Sequence, residues 1–220
     1  CNADAENYGT LIHSDSDIEI LLEGKNRLTN TSMGDGIYTE YGSITIGGEG
    51  SLEIIADTDG IYTEYGDVTV ESGTIKITTD CTGIYAYSAG SVTINGGSLE
   101  IISGSDGIYA YGAITISGGE VKIDSEEDGI YAYAGEFSVS GGEIKIHAED
   151  DGIYAGEGNI VVSGGEIKVY TDYLGICAYY GDITVSDGDI EINSYDDGMC
   201  TNYGSITING GSLEIHSDHS

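Results

Sequence analysis

A unit of about 23 residues recurs along most of the chain, and this repetition limits the possible folds more than any other feature of the sequence. Each unit begins with D-G-I-Y-A-x-Y-G, continues with S-I-T-I, a G-G pair and x-I-K/E-I, and ends in a polar turn. Tandem repeats of this length are typical of solenoids, propellers and repeat arrays. Eight copies are visible, 22 to 24 residues apart, and their opening glycines are Gly36, Gly60, Gly83, Gly107, Gly129, Gly152, Gly175 and Gly198.

Within one unit, apolar and polar residues alternate in three short runs. Residues 107–123, GIYAYGAITISGGEVKI, illustrate the pattern. A period of two is typical of a β-strand with one buried face. The predicted inward side chains are Ile108, Ala110, Ile114, Ile116, Val121 and Ile123, and the predicted outward ones are Tyr109, Tyr111, Thr115, Glu120 and Lys122.

Three strands per repeat predict an all-β fold, a right-handed single-stranded parallel β-helix (a solenoid) with about 23 residues per coil. A propeller blade needs about 40 residues and four strands, and a leucine-rich repeat needs an L-x-x-L-x-L spacing that this chain lacks. We expect eight coils over residues 34–220 as one continuous domain. An irregular N-terminal coil or cap is expected over residues 1–33.

The chain carries 39 acidic and only 6 basic side chains, which gives a formal net charge of −33. Nucleic-acid binding depends on lysine and arginine contacts to phosphates, so this balance excludes nucleic acid as a partner. No apolar run approaches the roughly 20 residues of a transmembrane helix. Because self-repulsion of this size destabilises a compact chain, we expect cations to neutralise part of the charge.

Many of the acidic residues lie in the turn before the opening glycine of each unit. Stacking of the coils should bring the turns 126–128, 149–151 and 172–174 together, and we call this region the acidic corner. Ca²⁺ prefers about 6–8 hard oxygen ligands, so the corner predicts a calcium site, with a solvated acidic edge as the alternative. The predicted metal ligands are Glu126, Glu127, Asp128, Glu149, Asp150, Asp151 and Asp172.

Tyrosines at equivalent positions of successive units should form rows on the surface of the solenoid. Such rows either stabilise the stack through ring contacts, at about 0.5–1.5 kcal/mol per pair, or offer an aromatic platform for sugar rings. An exposed aromatic surface of this length indicates a partner. The candidate ligand-binding residues are Tyr38, Tyr62, Tyr85, Tyr87, Tyr109, Tyr111, Tyr131, Tyr133 and Tyr154.

Two further outward rows have other interpretations. On the third strands, lysines lie close to glutamates, as Lys122 does to Glu120. This arrangement indicates charge compensation, in which each pair contributes about 0–1 kcal/mol. The middle strands carry a threonine row that begins at Thr45, a pattern that an ice-binding solenoid would use. Charged neighbours such as Asp67 and Glu136 interrupt its regularity, so ice binding is a minor alternative.

Nothing in the sequence forms a catalytic constellation. With 39 acids, an acid/base pair can be chosen almost anywhere, so such a choice carries no information. The four histidines are scattered along the sequence, and none belongs to a pattern in which it would activate a serine or cysteine nucleophile. We therefore expect a protein without enzymatic activity.

The four cysteines match no zinc-binding pattern. Cys177 and Cys200 occupy the same position in adjacent units, where Cα atoms about 5 Å apart allow either a disulfide or two stacked thiols. Cys81 and Cys1 have no evident mate. Cys1, followed by polar residues, is either the lipid-anchored first residue of a bacterial lipoprotein or simply the start of this chain.

The pattern D-G-I-(Y/H)-A-x-G-x-(I/L)-T-I-x-G-G-x-(I/V)-x-I resembles a bacterial carbohydrate-binding β-helix family from secreted and surface proteins of Firmicutes. The resemblance extends from Gly34 to Ile215, through motifs such as D-G-I at 128–130 and S-G-G at 140–142. It implies a pectate-lyase-like shape without lyase machinery, binding of polysaccharides that include pectin-type chains, and calcium at the acidic corner. The family often has histidine where this chain has the row from Tyr38 to Tyr154.

The leading hypothesis is therefore a non-catalytic, calcium-stabilised protein, extracellular or on the cell surface, that binds plant cell-wall polysaccharide. The main alternative is a structural or adhesive rod whose tyrosine rows contact another protein. End-to-end self-association into filaments is a variant of that alternative.

Overall fold

The computed structural model describes residues 9–217. Within this range every regular element is a β-strand, with no helix and hence none that could cross a membrane. Twenty-five strands follow one another in repeating groups of three.

The strands lie on three faces. The first face consists of β1 (Ile12–Ser14), β4 (Ile37–Thr39), β7 (Ile61–Thr63), β10 (Ile84–Ala86), β13 (Ile108–Ala110), β16 (Ile130–Ala132), β19 (Ile153–Ala155), β21 (Ile176–Ala178) and β23 (Met199–Thr201). The second face consists of β2 (Ile18–Leu22), β5 (Ile44–Gly48), β8 (Val68–Val70), β11 (Val92–Ile94), β14 (Ile114–Ile116), β17 (Phe137–Val139) and β24 (Ile206–Ile208). The third face consists of β3 (Lys25–Thr29), β6 (Ser51–Ala56), β9 (Thr74–Thr79), β12 (Ser98–Ser103), β15 (Glu120–Ser125), β18 (Glu143–Ala148) and β25 (Ser212–Ser217). Two long strands, β20 (Ile160–Thr171) and β22 (Ile183–Ser194), run through the second and third faces.

Each strand pairs in parallel with the equivalent strand of the next coil, position for position. Tyr109 pairs with Tyr131 and Tyr131 with Tyr154, while Lys122 pairs with Lys145. The predicted parallel β-solenoid is therefore confirmed, with about nine coils roughly 23 residues apart. The ninth coil is the N-terminal one, in which β1, β2 and β3 pair in parallel with β4, β5 and β6.

The core is a continuous column of aliphatic side chains. The six side chains predicted to point inward in residues 107–123 are all buried, and Ile108, Ile114 and Val121 have no exposed surface. Burying such a side chain contributes about 1.5–3 kcal/mol. Phe137 is the one phenylalanine of the chain and fills the core position that isoleucine or valine takes in neighbouring coils.

The opening glycines form a contact row of their own at the corner before the first face. A Cβ atom at Gly107 would lie 2.6 Å from the carbonyl oxygen of Gly129, and the same clash recurs in most coils. Real Cβ atoms are not found this close to backbone oxygens. The repeated glycine of the D-G motif is therefore required because successive turns approach one another too closely for any side chain.

Charge pairs cover the third face. Lys76 Nζ lies 2.7 Å from Glu100 in the next coil, and Lys122 and Lys168 pair with glutamates of their own strands, Glu120 and Glu166. These side chains are substantially exposed, so each pair is worth about 0–1 kcal/mol. The prediction of charge compensation on this face is consistent with these contacts.

Candidate functional site

A row of aspartates lies directly before the opening glycines and continues into the acidic corner at Asp128 and Asp151. We call Asp35, Asp59, Asp106, Asp128 and Asp151 the aspartate row. Their Oδ1 atoms accept hydrogen bonds from backbone N–H groups of the following coil, at 2.9 to 3.2 Å. The row thus satisfies backbone donors that the turn leaves without a strand partner. The alternative that the sequence left open was a solvated acidic edge, but these five carboxylates are buried or partly buried.

Burial raises the pKa of every carboxyl group in this row. Desolvation is the largest cause, and neighbouring carboxylates add to it, whereas the backbone hydrogen bonds oppose it. The pKa reaches about 7 at Asp59, about 7 at Asp106, about 8 at Asp128 and about 6 at Asp151. At neutral pH Asp59, Asp106 and Asp128 therefore favour either a proton or a bound cation.

Three of the seven predicted metal ligands converge at one point of this corner. A carboxylate oxygen from each of Asp128, Asp150 and Asp151 lies within 4.8 Å of the others. The fraction of exposed surface differs among them, since Asp150 is exposed while Asp151 is 8% exposed. Hard carboxylate oxygens in this number are a suitable partial shell for Ca²⁺, which takes further ligands from carbonyls, water or hydroxyls.

The other four predicted ligands do not join that group. Glu126, Glu127, Glu149 and Asp172 are exposed. Glu127 instead accepts a hydrogen bond from Ser105 Oγ at 2.5 Å, through its Oε2 atom. Its charge nevertheless reaches the aspartate row, because it contributes to the raised pKa of Asp106.

Six of the nine predicted tyrosines form an unbroken column on the first face, which we call the tyrosine ladder: Tyr38, Tyr62, Tyr85, Tyr109, Tyr131 and Tyr154. Neighbouring ring centroids are 4.9 to 5.2 Å apart. From Tyr38 to Tyr85 the rings stack, with interplanar angles of 20° to 29°, and beyond Tyr85 they meet edge to face. These rings are buried or half-buried, and burial raises the pKa of their hydroxyl groups. Much of the surface of each ring is therefore in contact with the neighbouring rings of the ladder.

The remaining three predicted tyrosines lie in a more exposed row. We call Tyr87, Tyr111, Tyr133 and Tyr179 the outer tyrosine row, and the first three are 43%, 38% and 40% exposed. Tyr111 and Tyr133 stack at 5.1 Å. The sequence interpretation missed four exposed tyrosines beside this row, which precede a glycine and stack in pairs: Tyr41, Tyr65, Tyr180 and Tyr203. The repeated Y-G dipeptide is the signal that identifies them.

The tyrosine ladder ends at Tyr154, where the next position of the same register is Cys177. Cys177 forms a disulfide with Cys200, and their Cα atoms are 4.6 Å apart. Cys81, for which the sequence suggested no mate, is also a disulfide cysteine. Replacement of a phenol ring by a small sulfur-containing side chain removes volume from the first face at this coil.

A cleft of about 410 Å³ opens at the end of the ladder, and we call it the first-face cleft. Two further departures from the repeat occur beside it: Gly156 interrupts the outer tyrosine row, and Leu174 interrupts the aspartate row. The cleft is lined by Asp128, Tyr131, Asp150, Asp151, Tyr154, Tyr173, Leu174, Cys177, Tyr179 and Asn202. It thus brings together the converging carboxylates and the last two rings of the ladder.

Four lining residues were not singled out from the sequence: Tyr173, Leu174, Tyr179 and Asn202. Their signal is the coincidence of three interrupted rows within two adjacent coils, which is visible only when the repeats are aligned and compared row by row. Tyr173 is 47% exposed at the rim. Aromatic walls with a few convergent polar groups are typical of small-molecule and sugar sites.

The chemistry of the first-face cleft suits a polyhydroxylated ligand. Carboxylate oxygens accept hydrogen bonds from hydroxyl groups, the amide of Asn202 both donates and accepts, and tyrosine rings pack against C–H surfaces. No lysine or arginine lines the cleft. An anionic group would therefore need a bridging cation to approach the three aspartates.

A comparison with known families agrees with this chemistry. A family model described as carbohydrate-binding domain-containing protein matches residues 5–220. Searches of curated proteins and of solved structures found no match. The family match supports carbohydrate binding as the function. Because the match extends over nearly the whole sequence, the chain belongs to the family of carbohydrate-binding domain-containing proteins.

Proposed function

We propose that the protein is a non-catalytic, extracellular polysaccharide-binding solenoid that holds its ligand in the first-face cleft. The observation that carries this proposal is the coincidence, in one cleft, of the converging carboxylates of Asp128, Asp150 and Asp151 with the ring surfaces of Tyr131 and Tyr154. The remaining rings of the ladder contact one another, which leaves the end of the ladder as the place where a sugar ring gains most contact.

Calcium is the proposed ion at the three aspartates. The donor set consists of hard oxygens only, which favours Ca²⁺ over the softer transition metals. Asp128 and Asp151 already use one oxygen each for a backbone N–H group, and their raised pKa values indicate a site where negative charge is poorly compensated. A bound cation would supply that compensation and offer its open coordination positions to sugar hydroxyls or carboxylates.

The ligand class that we propose is plant cell-wall polysaccharide. A neutral chain would contact the rings and carboxylates directly, whereas a chain of uronic acids would be held through calcium because of the net charge of −33. An extracellular location is supported by the disulfide between Cys177 and Cys200, since such bonds persist in oxidising compartments. The proposed lipid anchor at Cys1 lies outside the described residues.

The test is retention of the protein on insoluble cellulose, xylan and polygalacturonate, with calcium and with EDTA. Tyr154→Ala and Asp150→Asn should each weaken retention, and Asp150→Asn should also remove the effect of calcium. Tyr65→Ala, an exposed tyrosine remote from the cleft along the solenoid, is the matched control and should bind normally. Absence of retention on all three polysaccharides would contradict the proposal and favour the structural or adhesive rod.

A further inference from the structure

A second cleft of about 290 Å³ lies on the third face, and we call it the third-face cleft. It is lined by Asp124, Ser125, His147, Ala148, Glu149, Tyr170, Thr171, Asp172 and Asn193. Asp124, His147, Tyr170 and Asn193 occupy one register position in four successive coils. In the coils before them the same position is held by Thr78 and Ile102, so charged and aromatic side chains begin at this position only where the cleft is.

The side chains of this cleft are arranged in an ordered way. The rings of His147 and Tyr170 stack with centroids 4.8 Å apart and planes inclined by 9°. The Tyr170 hydroxyl donates to Glu191 Oε1 at 3.2 Å, and Asn193 donates to the same oxygen at 3.2 Å. Glu191 therefore fixes the side chains of Tyr170 and Asn193. The stacked rings of His147 and Tyr170 form an aromatic surface beside the carboxylates of the cleft.

The two clefts lie on either side of the acidic corner and share its turns. In one coil Glu149 lines the third-face cleft and Asp150, the next residue, lines the first-face cleft. In the following coil Asp172 and Tyr173 are divided in the same way. The path from Tyr170 to Leu174 covers four residues and so spans at most about 14 Å, which is within the reach of a short oligosaccharide.

We propose that the two clefts bind consecutive parts of one polysaccharide chain, which crosses the acidic corner around the solenoid rather than running along its axis. This inference rests on the proposed function. The third-face cleft would be a second sugar subsite, in which the His147–Tyr170 pair supplies apolar contact. Asp124, Glu149 and Asp172 would accept hydrogen bonds from hydroxyl groups. Tyr173, exposed on the crest between the clefts, would contact the sugar that makes the crossing.

The two directions predict different contacts. A chain along the axis would lie over the outer tyrosine row and contact Tyr111 and Tyr87, which lie one and two coils before Tyr131 of the first-face cleft. A chain across the corner would instead contact His147 and Tyr170 and make no contact with Tyr87 and Tyr111. Both pairs are at least partly exposed, and each can be changed without touching the core.

The experiment measures binding of cello-oligosaccharides, xylo-oligosaccharides and oligogalacturonates, from disaccharide to hexasaccharide, by isothermal titration calorimetry with calcium present. The proteins are wild type, His147→Ala/Tyr170→Leu, Tyr87→Ala/Tyr111→Ala, and Thr78→Ala. Thr78→Ala is the matched control, because Thr78 holds the equivalent third-face position away from the cleft. Circular dichroism establishes that each variant is folded.

For the oligosaccharide that binds wild type, we expect His147→Ala/Tyr170→Leu to lose about tenfold in affinity for the hexasaccharide and little for the disaccharide. The other two variants should match wild type at every length. Loss confined to Tyr87→Ala/Tyr111→Ala would show a chain along the axis and overturn the inference. Equal binding by all variants would also overturn it while leaving the proposed function intact, and no binding by wild type would refute both.

Discussion

Replacement of a buried acid by its neutral amide should stabilise this protein at alkaline pH, and Asp59→Asn is the change in which the effect is clearest. Asp59 is 9% exposed, and its Oδ1 atom accepts the N–H group of Thr82 at 2.9 Å. Burial, followed by the nearby carboxyl group of Asp35, raises the pKa of Asp59 to about 7. Asparagine retains the accepting oxygen and removes the charge.

The magnitude follows from proton linkage. In the unfolded chain the pKa of aspartate is about 3.9, so between about pH 4 and pH 7 the folded state holds a proton that the unfolded state has lost. The free energy of unfolding of the wild type therefore falls as pH rises through this window, by at most about 4 kcal/mol, since each pKa unit corresponds to about 1.36 kcal/mol. The variant lacks this loss, so its advantage should be absent near pH 4 and complete above about pH 8.

The assay is urea unfolding followed by far-UV circular dichroism at about pH 4, 6 and 8, with EDTA present so that no divalent cation neutralises the row. Midpoints are the quantity to compare, because long repeat arrays do not unfold as a single two-state unit. Glu49→Gln, an exposed acid in a turn, is the control for the loss of one charge from a strongly acidic surface.

The reasoning would be refuted if Asp59→Asn were less stable than wild type at pH 8, or if the difference between them were the same at all three values. The first result would mean that the Thr82 hydrogen bond depends on the negative charge of Asp59. The second would mean that the carboxyl group ionises in the folded state as it does in the unfolded chain.

Three further predictions concern the turns, the metal site and the disulfide. Gly129→Ala should lower the thermal midpoint strongly, because the new Cβ atom would clash with the carbonyl oxygen of Gly152. Gly47→Ala is the control and should be tolerated, since the nearest neighbours of its Cβ atom would lie 3.5 Å away. A similar midpoint for the two variants would contradict the steric account of the glycine row. Calcium should raise the thermal midpoint of wild type by mass action, and Asp150→Asn should abolish the rise, while an unchanged rise in the variant would place the ion elsewhere. Removal of the bond between Cys177 and Cys200 by Cys177→Ala/Cys200→Ala should cost about 3 kcal/mol, because the bond closes a loop of 23 residues. The check is the unfolding midpoint of the double variant and of wild type without reductant, which leaves the disulfide of Cys81 intact, and an equal midpoint would contradict the expected loss.

The sequence predicted some residues of the candidate site and missed others. It predicted the ladder from Tyr38 to Tyr154 because a constant repeat length places equal positions one above another. It did not predict that the aspartate row is buried, since alternation marks strand faces and says nothing about how closely two turns approach. It also missed Tyr173 and Asn202, because they line the same cleft as Tyr154 only in the folded chain, where the small side chains at Gly156 and Cys177 leave room beside that ring.

The sequence by itself determined the three-stranded coil, the register of the parallel sheets and the composition of the core. The physical reason is that a strand residue in a regularly stacked coil points either into the core or towards solvent, and the hydrophobic effect places the apolar side chains inside. The tertiary structure decided which carboxylates lose contact with water, where the tyrosine ladder ends in a cleft, and that a second cleft lies across the same corner. Those features depend on the distances between side chains of different coils, and such distances exist only once the chain has folded.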